Sequence, residues 1–430
     1  MSALPSLVDY REPMVVLPEE TQNFSVACVP TGSGTFGPST QIQVDLGSRG
    51  FLDPASLLIR YKVTYTKLAA SALQIVGTPG HVFFNRVDTI INSQNVESIS
   101  NYNTVANMLT NLNLSVADKY GQQTALGYES ANPVVLEALD GATIAAGAVT
   151  SIERFYAVPL YNLLSGSDKL IPLFLLNGIR LQFTTESLAN VQTGVAANAL
   201  LTNYAITNFE VVYNCVDMGG NVEREIIAMN PKLRIKTQSY ASGNQTVSTA
   251  TTGTQSLVYN MRYASVKSAF LICGGTDVTR SANRLMDAYD ITSGNGDYCL
   301  QIGSQQYPQK PLSTINNRSG ILQELRRAMN SIYAKNNSMS INRVEYAIES
   351  DDAGPTTIDA PAKFFVGINL QKLTVAMRAF FTGISTQNQP ITATININVA
   401  TGQAHNVMLV LNYDAIMEVD TSSKQMLLIA

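Results

Sequence analysis

Along most of the chain apolar and polar residues alternate one for one. In ITATININV (391–399), Ile391, Ala393, Ile395, Ile397 and Val399 share one face, and Thr392, Thr394, Asn396 and Asn398 the other. LIRYKVTYT (58–66) sets Ile59, Tyr61, Val63 and Tyr65 against Arg60, Lys62 and Thr64. GIRLQFTT (178–185) does the same with Ile179, Leu181 and Phe183. A period of two predicts strands with one buried and one wet face, as in antiparallel sandwiches. Breaks rich in Gly, Pro and Asn separate the runs, as a many-stranded sandwich requires. Two stretches follow a helical period instead. TVANMLTNL (104–112) groups Val105, Met108, Leu109 and Leu112. SGILQELRRAMNSIY (319–333) groups Leu322, Leu325, Met329, Ile332 and Tyr333, with Ser319 as N-cap.

The chain repeats itself. NFEVVYNCVDM (208–218) and NVMLVLNYDAI (406–416) both carry Asn at their first and seventh positions, 198 residues apart. SLLIRYKV (56–63) echoes SAFLICGG (268–275), the two helical stretches echo each other, and RFYAVPL (154–160) echoes KFFVGINL (363–370). The four echoes keep their order and a similar offset, which points to duplication of one domain. The junction falls near MGGNVEREI (218–226), where a strand ends at Gly219-Gly220 and a charged linker follows. The expected division is an extended N-terminal arm over 1–38, sandwiches over 39–219 and 220–421, and a tail over 422–430.

Composition narrows the function. Charged residues make up 14% of the 430 positions, against roughly 25% in typical globular proteins, while 45% are hydrophobic. A charge-poor surface suits packing against other protein, since few charges are then stranded. The net charge of −4 lacks the basic balance of a nucleic-acid binder. Cys28, Cys215, Cys273 and Cys299 show neither CxxC nor metal-ligand spacing and read as free thiols. MSALPSLVDYREP has no basic start or long apolar run, so synthesis without a secretion signal is expected. The sequons at Asn23, Asn113, Asn244, Asn317 and Asn336 then read as chance. No window approaches 18 uninterrupted apolar residues, and no transmembrane helix is expected.

Candidate chemistry is sparse. GSGTFG (32–37), with Asp53 about 20 residues on, matches a dinucleotide fingerprint. Pro38 and a strand pattern follow it, so it reads as a flexible loop. His81 and His405 stand far apart in polar or glycine-rich settings, too few for a copper, iron or cupin-type centre. No GxSxG elbow occurs. ESDDAGP (349–355, with Glu349, Asp351 and Asp352) and DAYDITSGNGD (287–297, with Asp287, Asp290 and Asp297) lack the alternating ligands of a calcium loop and read as solvated loops. Nothing selects a glycosidase pair among the carboxylates. Arg326 and Arg327 fall on the wet face of a helix. The apolar tail QMLLIA (425–430) calls for docking on its own or a neighbouring subunit. No catalytic, cofactor-binding or metal-binding residue is assigned.

These features together resemble the double jelly-roll major capsid proteins of the adenovirus-type double-stranded DNA virus lineage, nearest those of polinton-like viruses, adintoviruses and virophages. The resemblance runs from about residue 20 to 420. It is carried by QIQVDLGSRGFLDPASLLIRYKV (41–63), FNRVDTIINSQNVESISNYNTV (84–105), FYAVPLYNLLSGSDKLIPLFLLNGIRLQF (155–183) and the strand at 208–218. In the second half it is carried by FVGINLQKL (365–373), GISTQNQPITATININV (383–399) and the strand at 406–416. It implies an all-β chain of two tandem eight-stranded jelly rolls with short helices in the inter-strand loops. It implies no enzymatic activity and no cofactor, a location in the virion, and homotrimers whose six similar corners tile an icosahedral shell. Implied partners are other copies of the chain, penton and minor capsid or cement proteins, and in some relatives an inner membrane, with no sequence-specific nucleic acid. The arm, with Asp9, Glu12, Glu19 and Glu20 against Arg11, favours protein partners over DNA or anionic lipid. The expected tower or contact loops are 137–151, 188–203, 239–255 and 347–362. Two other classes stay open: a tandem sandwich that binds glycans, although Trp is absent, and a sandwich hydrolase.

Overall fold

The structure, a computed structural model, describes residues 21–32, 34–67, 73–75, 80–127, 142–144, 151–176, 178–194, 201–248, 251–275, 288–315, 318–329, 339–341, 346, 363–372, 381–398 and 404–430. Eight principal strands occupy the first half: β1 (Gln22–Cys28), β2 (Gln41–Asp45), β3 (Leu58–Lys67), β4 (Phe84–Ile91), β5 (Gln94–Ser100), β6 (Ser151–Pro159), β7 (Ile179–Thr185) and β8 (Leu201–Asp217). Eight more occupy the second: β9 (Lys232–Val247), β10 (Gly253–Tyr259), β11 (Val266–Gly275), β12 (Gly296–Ile302), β13 (Gln305–Ser313), β14 (Val366–Asn369), β15 (Ile391–Ile397) and β16 (His405–Asp420). The strands expected at 58–66, 178–185 and 391–399 all form. Ile59, Tyr61, Val63 and Tyr65, for example, are buried while Arg60 is exposed.

In the first half β6-β3-β8-β1 make one antiparallel sheet and β2-β7-β4-β5 another. In the second half β14-β11-β16-β9 and β10-β15-β12-β13 repeat both orders, strand n standing where strand n − 8 stood. The register repeats as well. Leu58 faces Val212 and Phe270 faces Val410, so the 198-residue echo is a true structural equivalence. The topology is that of jelly-roll-like sandwiches.

Rings from facing sheets close the first core. Tyr61 of β3 lies 5.3 Å from Phe84 of β4, and Phe183 of β7 lies 5.1 Å from Phe209 of β8, both edge-on. Such pairs add about 0.5–1.5 kcal/mol each beyond area burial. In the second half, the Tyr259 hydroxyl at the end of β10 donates to the Val407 carbonyl of β16 at 2.8 Å. The turn from β4 to β5 places Asn92 and Ser93 at φ of +53° and +63°, the left-handed pair a tight hairpin needs.

Helix α1 (Tyr102–Asn113) forms where expected, but eleven of its residues are buried rather than one face. Its amides satisfy one another and the surrounding loops: Asn111 Nδ2 donates to the Asn107 carbonyl at 2.8 Å, and Asn103 Nδ2 to Glu186 at 2.9 Å. The junction expected to be a plain linker is helix α2 (Gly220–Met229), none of whose residues is buried. Helix α3 (Arg318–Ala328) includes Ser319 within it rather than before it, and buries Ile321, Leu325 and Ala328. The buried stripe is thus rotated from the expected one because α3 lies on β14. There a Cβ on Gly367 would stand 2.7 Å from Leu325 Cδ1.

The stretch 239–255, expected as a loop, is mostly strand: β9 runs to Val247 and β10 starts at Gly253. Its buried positions in β9 are Ser239, Ala241 and Val247, two of them small side chains, so the alternation carries only a weak apolar signature. Of 188–203, residues 188–190 form a 3-10 turn and β8 begins at Leu201. Residues 347–362 and most of 137–151 lie outside the described residues. β1 falls in the segment expected as an arm, where it pairs with β8. The tail docks on its own chain: Met426–Ile429 (β17) pairs with Ile416–Val419 of β16 and leaves Leu427 exposed.

Candidate functional site: the seam between the halves

β5, an edge strand of the first half, lies against β9, an edge strand of the second. Glu97 sits at the centre of this seam, buried. One carboxylate oxygen accepts from the Ser239 hydroxyl of β9. The other accepts from Thr89 Oγ1 at 2.8 Å and from the Leu163 amide at 2.9 Å. Around it the Thr237 hydroxyl donates to the Leu163 carbonyl and the Ser242 hydroxyl to the Ser100 carbonyl. The Gln238 amide donates to the Gly166 carbonyl at 3.3 Å. Asn92 Nδ2 reaches the Lys424 carbonyl at 2.9 Å, and the Ser340 amide reaches the Asn111 carbonyl at 3.1 Å.

Burial raises the Glu97 carboxyl above its usual range, and the nearby Asp88 charge adds to this; its three donors pull the other way. On the β16 side, Tyr413 stacks on Tyr263 at 4.0 Å. Burial first, and then the Glu97 charge, hold the Tyr413 hydroxyl well above its normal value. The seam is therefore buried and polar, and both carboxylate oxygens of its one acid are hydrogen-bonded. It holds two domains together and presents no nucleophile to solvent.

The other candidates do not assemble into a reaction centre. His81 is wholly buried rather than in a polar loop, with ring centroids 6.0 Å from Tyr102 and 5.6 Å from Tyr161. Among the described residues neither of its nitrogens has a hydrogen-bond partner, and burial lowers its pKa to about 3. His405 opens β16 in the other half and is also buried. Asp290, expected in a solvated loop, has no exposure at all. It accepts from the Thr292 amide and hydroxyl, the Gly294 amide, the Tyr298 hydroxyl at 3.0 Å and Arg318 at 3.2 Å. Five donors on one carboxylate make it the anchor of α3, not a cation ligand. Asp287, Glu349, Asp351 and Asp352 lie outside the described residues.

Arg327 pairs with Glu324 on the exposed face of α3. The glycine-rich stretch leads into a short strand, Thr35–Phe36, and then β2, with no helix for a phosphate to cap. Among the described residues no group of three or more His, Cys, Asp or Glu side chains could hold a metal, the four cysteines are free thiols, and no helix is long and apolar enough to cross a membrane.

Among the described residues, grooves open on the surface at two places. One, of about 480 Å³, lies over β3, β6 and β8, where Arg60 pairs with Glu210 at 2.8 Å and Lys62 with Glu153 at 2.9 Å beside the exposed Phe155. The other, of about 510 Å³, runs along β13 between Pro308 and Leu312 and is closed on one side by Ile321 and Glu324 of α3. Sequence reasoning missed the seam, since Glu97 and Ser239 are 142 positions apart. β5 itself, QNVESIS, carries no apolar alternation that would have marked Glu97 as buried.

No protein-family model and no curated protein matches the sequence. Solved structures do match over nearly the whole chain. The Faustovirus major capsid protein aligns with a TM-score of 0.63 at 8% identity, covering 96% of this chain and 92% of that one. PBCV-1 VP54, fitted into a cryo-EM reconstruction of the virophage Sputnik, aligns at 0.62 and 13% identity, covering 98% and 99%. The mavirus major capsid protein aligns at 0.54 and 9%, covering 99% and 93%. The chain has the fold of these capsid proteins. At such identities the likeness is one of backbone, with side chains almost wholly replaced. The likeness spans both halves of the chain.

Proposed function

We propose that this chain is a double jelly-roll major capsid protein of an icosahedral double-stranded DNA virus, located in the virion and assembling as homotrimeric, pseudo-hexagonal capsomers. One observation carries the reading: β9–β16 repeat the order and register of β1–β8, and the whole duplicated fold matches capsid proteins end to end. Three chains then supply six similar corners, the arrangement that fills a hexagonal lattice from a three-fold object. The seam supports this, because it fixes the angle between the halves through buried hydrogen bonds between β5, β9 and the loop at 163–166. Neighbouring capsomers, penton proteins and minor capsid or cement proteins are the proposed partners. Light scattering behind size exclusion tests the reading. A particle of about three times 46.5 kDa that resists dilution is expected. A stable monomer with saturable glycan binding would replace the capsid reading with that of a recognition protein.

A further inference from the structure

The duplication maps each face of the seam onto a second face of the same chain. Ser239 stands opposite Tyr413 on β16, and Phe24 stands opposite Cys215 on β8, with 198 residues separating Tyr413 from Cys215. Phe24 is therefore the first-half counterpart of Ser239. On the other face, Glu97 opposes Thr89, two residues before Ile91, which pairs with Gln94 after the hairpin turn. In β12 and β13 the corresponding pair is Ile302 with Gln305, and two residues before Ile302 comes Leu300, opposite Tyr307. The counterpart of Glu97 is thus the Tyr307–Pro308 step, at the mouth of the 510 Å³ groove.

Among the described residues these counterpart faces are open. Phe24 is 42% exposed, and the strand carrying it, QNFSVAC, holds no charged residue. β13 ends its sheet and is mostly exposed, with α3 beside it. We infer that the β13 edge of one subunit receives β1 of a second copy, with Phe24 against Pro308 in the groove. This rests on the capsomer reading above and specifies its contact.

The argument is one of continuity with the internal seam. A step that carries the first half onto the second must, in a closed ring, carry the second half onto the first half of the next chain. The surfaces for that second step are the two just named. Their chemistry agrees: an uncharged strand led by an aromatic ring meets a groove floored by proline and leucine. Lys310 and Glu324 at the rim keep their access to water.

A cross-link tests the pairing. A tagged Phe24→Cys chain is co-expressed with an untagged Gln309→Cys chain, or with Gln306→Cys for an adjacent register, and treated with a short bis-maleimide. Each position is exposed within the chain, so each variant is expected to fold with the wild-type far-ultraviolet circular dichroism spectrum. A mixed, tagged–untagged covalent dimer that neither single variant forms alone is the expected product. In parallel, Phe24→Asp is expected to raise the concentration at which the trimer dissociates at least tenfold. A wild-type trimer in which neither cysteine pair cross-links overturns the inference, whatever Phe24→Asp does, and leaves the capsomer reading standing. A wild-type monomer removes both.

Discussion

Gly166 is the tightest point of the internal seam, and adding one methyl group there measures what the seam is worth. A Cβ built on Gly166 would lie 2.0 Å from the Gln238 carbonyl oxygen and 2.9 Å from its carbon, both backbone atoms of β9. Ordinary contact begins at 3.4 Å, so Gly166→Ala forces the loop and β9 apart by about 1.4 Å. The Gln238 amide bond to Gly166, already 3.3 Å, is then lost. The Thr237–Leu163 and Ser239–Glu97 bonds are stretched beyond use. Three such bonds contribute about 1 kcal/mol each, and overpacking costs about 1–3 kcal/mol more. A loss of roughly 4–6 kcal/mol is expected, a large part of the ~5–15 kcal/mol that domains typically possess.

The assay is urea unfolding followed by far-ultraviolet circular dichroism, since the chain has no Trp. Gly34→Ala serves as control, because a Cβ there meets nothing within 4 Å. Gly166→Ala should lower the midpoint and split the transition as the halves begin to unfold separately. A Gly166→Ala curve within about 0.5 kcal/mol of the control, the usual span of a neutral substitution, would show that the halves are not held at this spacing.

Two titrations with opposite signs complete the set. Glu97 has a raised folded-state pKa, so the folded chain binds its proton more tightly than the unfolded one. Stability falls as pH rises from the unfolded value of 4.5 through the folded one. Glu97→Gln keeps the acceptor for Thr89 and Leu163 and can donate to Ser239. It should match wild type at pH 4 and exceed it at pH 8 by chemical denaturation; a constant difference between the two pH values would refute the assignment. For His81 the folded value is about 3 against 6.5 unfolded. Stability is fully present above pH 6.5 and is lost as pH falls toward 3, at about 1.4 kcal/mol per unit for one proton. Subtracting the pH profile of His81→Leu from that of wild type should isolate this slope, and a flat difference would show that the imidazole charges in the folded state.

Much of the fold was legible because burial on one face of a strand imposes a period of two, and duplication imposes an echo. β3, β7 and β15 could be read residue by residue for that reason. The middle of β9 could not, since between Ile235 and Val247 its buried face carries only the small side chains Thr237, Ser239 and Ala241, two of them polar and at the seam. Helix α1 misled in the other direction. Its asparagines suggest a wet face, yet local bonds and Glu186 satisfy them inside the protein. Asp290 shows the same limit. Acid, glycine and threonine in one loop look solvated until Arg318, 28 positions away, supplies the fifth donor. In each case at least one partner is distant in sequence, and a one-dimensional pattern carries no record of it.

The internal seam and the proposed contact between chains differ in chemistry for a reason that follows from connectivity. Inside the chain the halves are tethered through α2, so one meets the other at a high effective concentration without losing free translation. A contact formed under those terms needs little net affinity. It can accommodate even a desolvated acid, provided every oxygen finds a donor, as those of Glu97 do. What it gains is angular definition, because hydrogen bonds are directional in a way that apolar contact is not. Between chains the same geometry must also overcome the ~4–15 kcal/mol of association entropy. A polar pair with near-zero net gain would not hold a trimer, whereas an exposed phenyl ring entering a proline-lined groove gains from leaving water. Phe24 in place of Ser239, and Tyr307–Pro308 in place of Glu97, are the changes that this difference in cost demands.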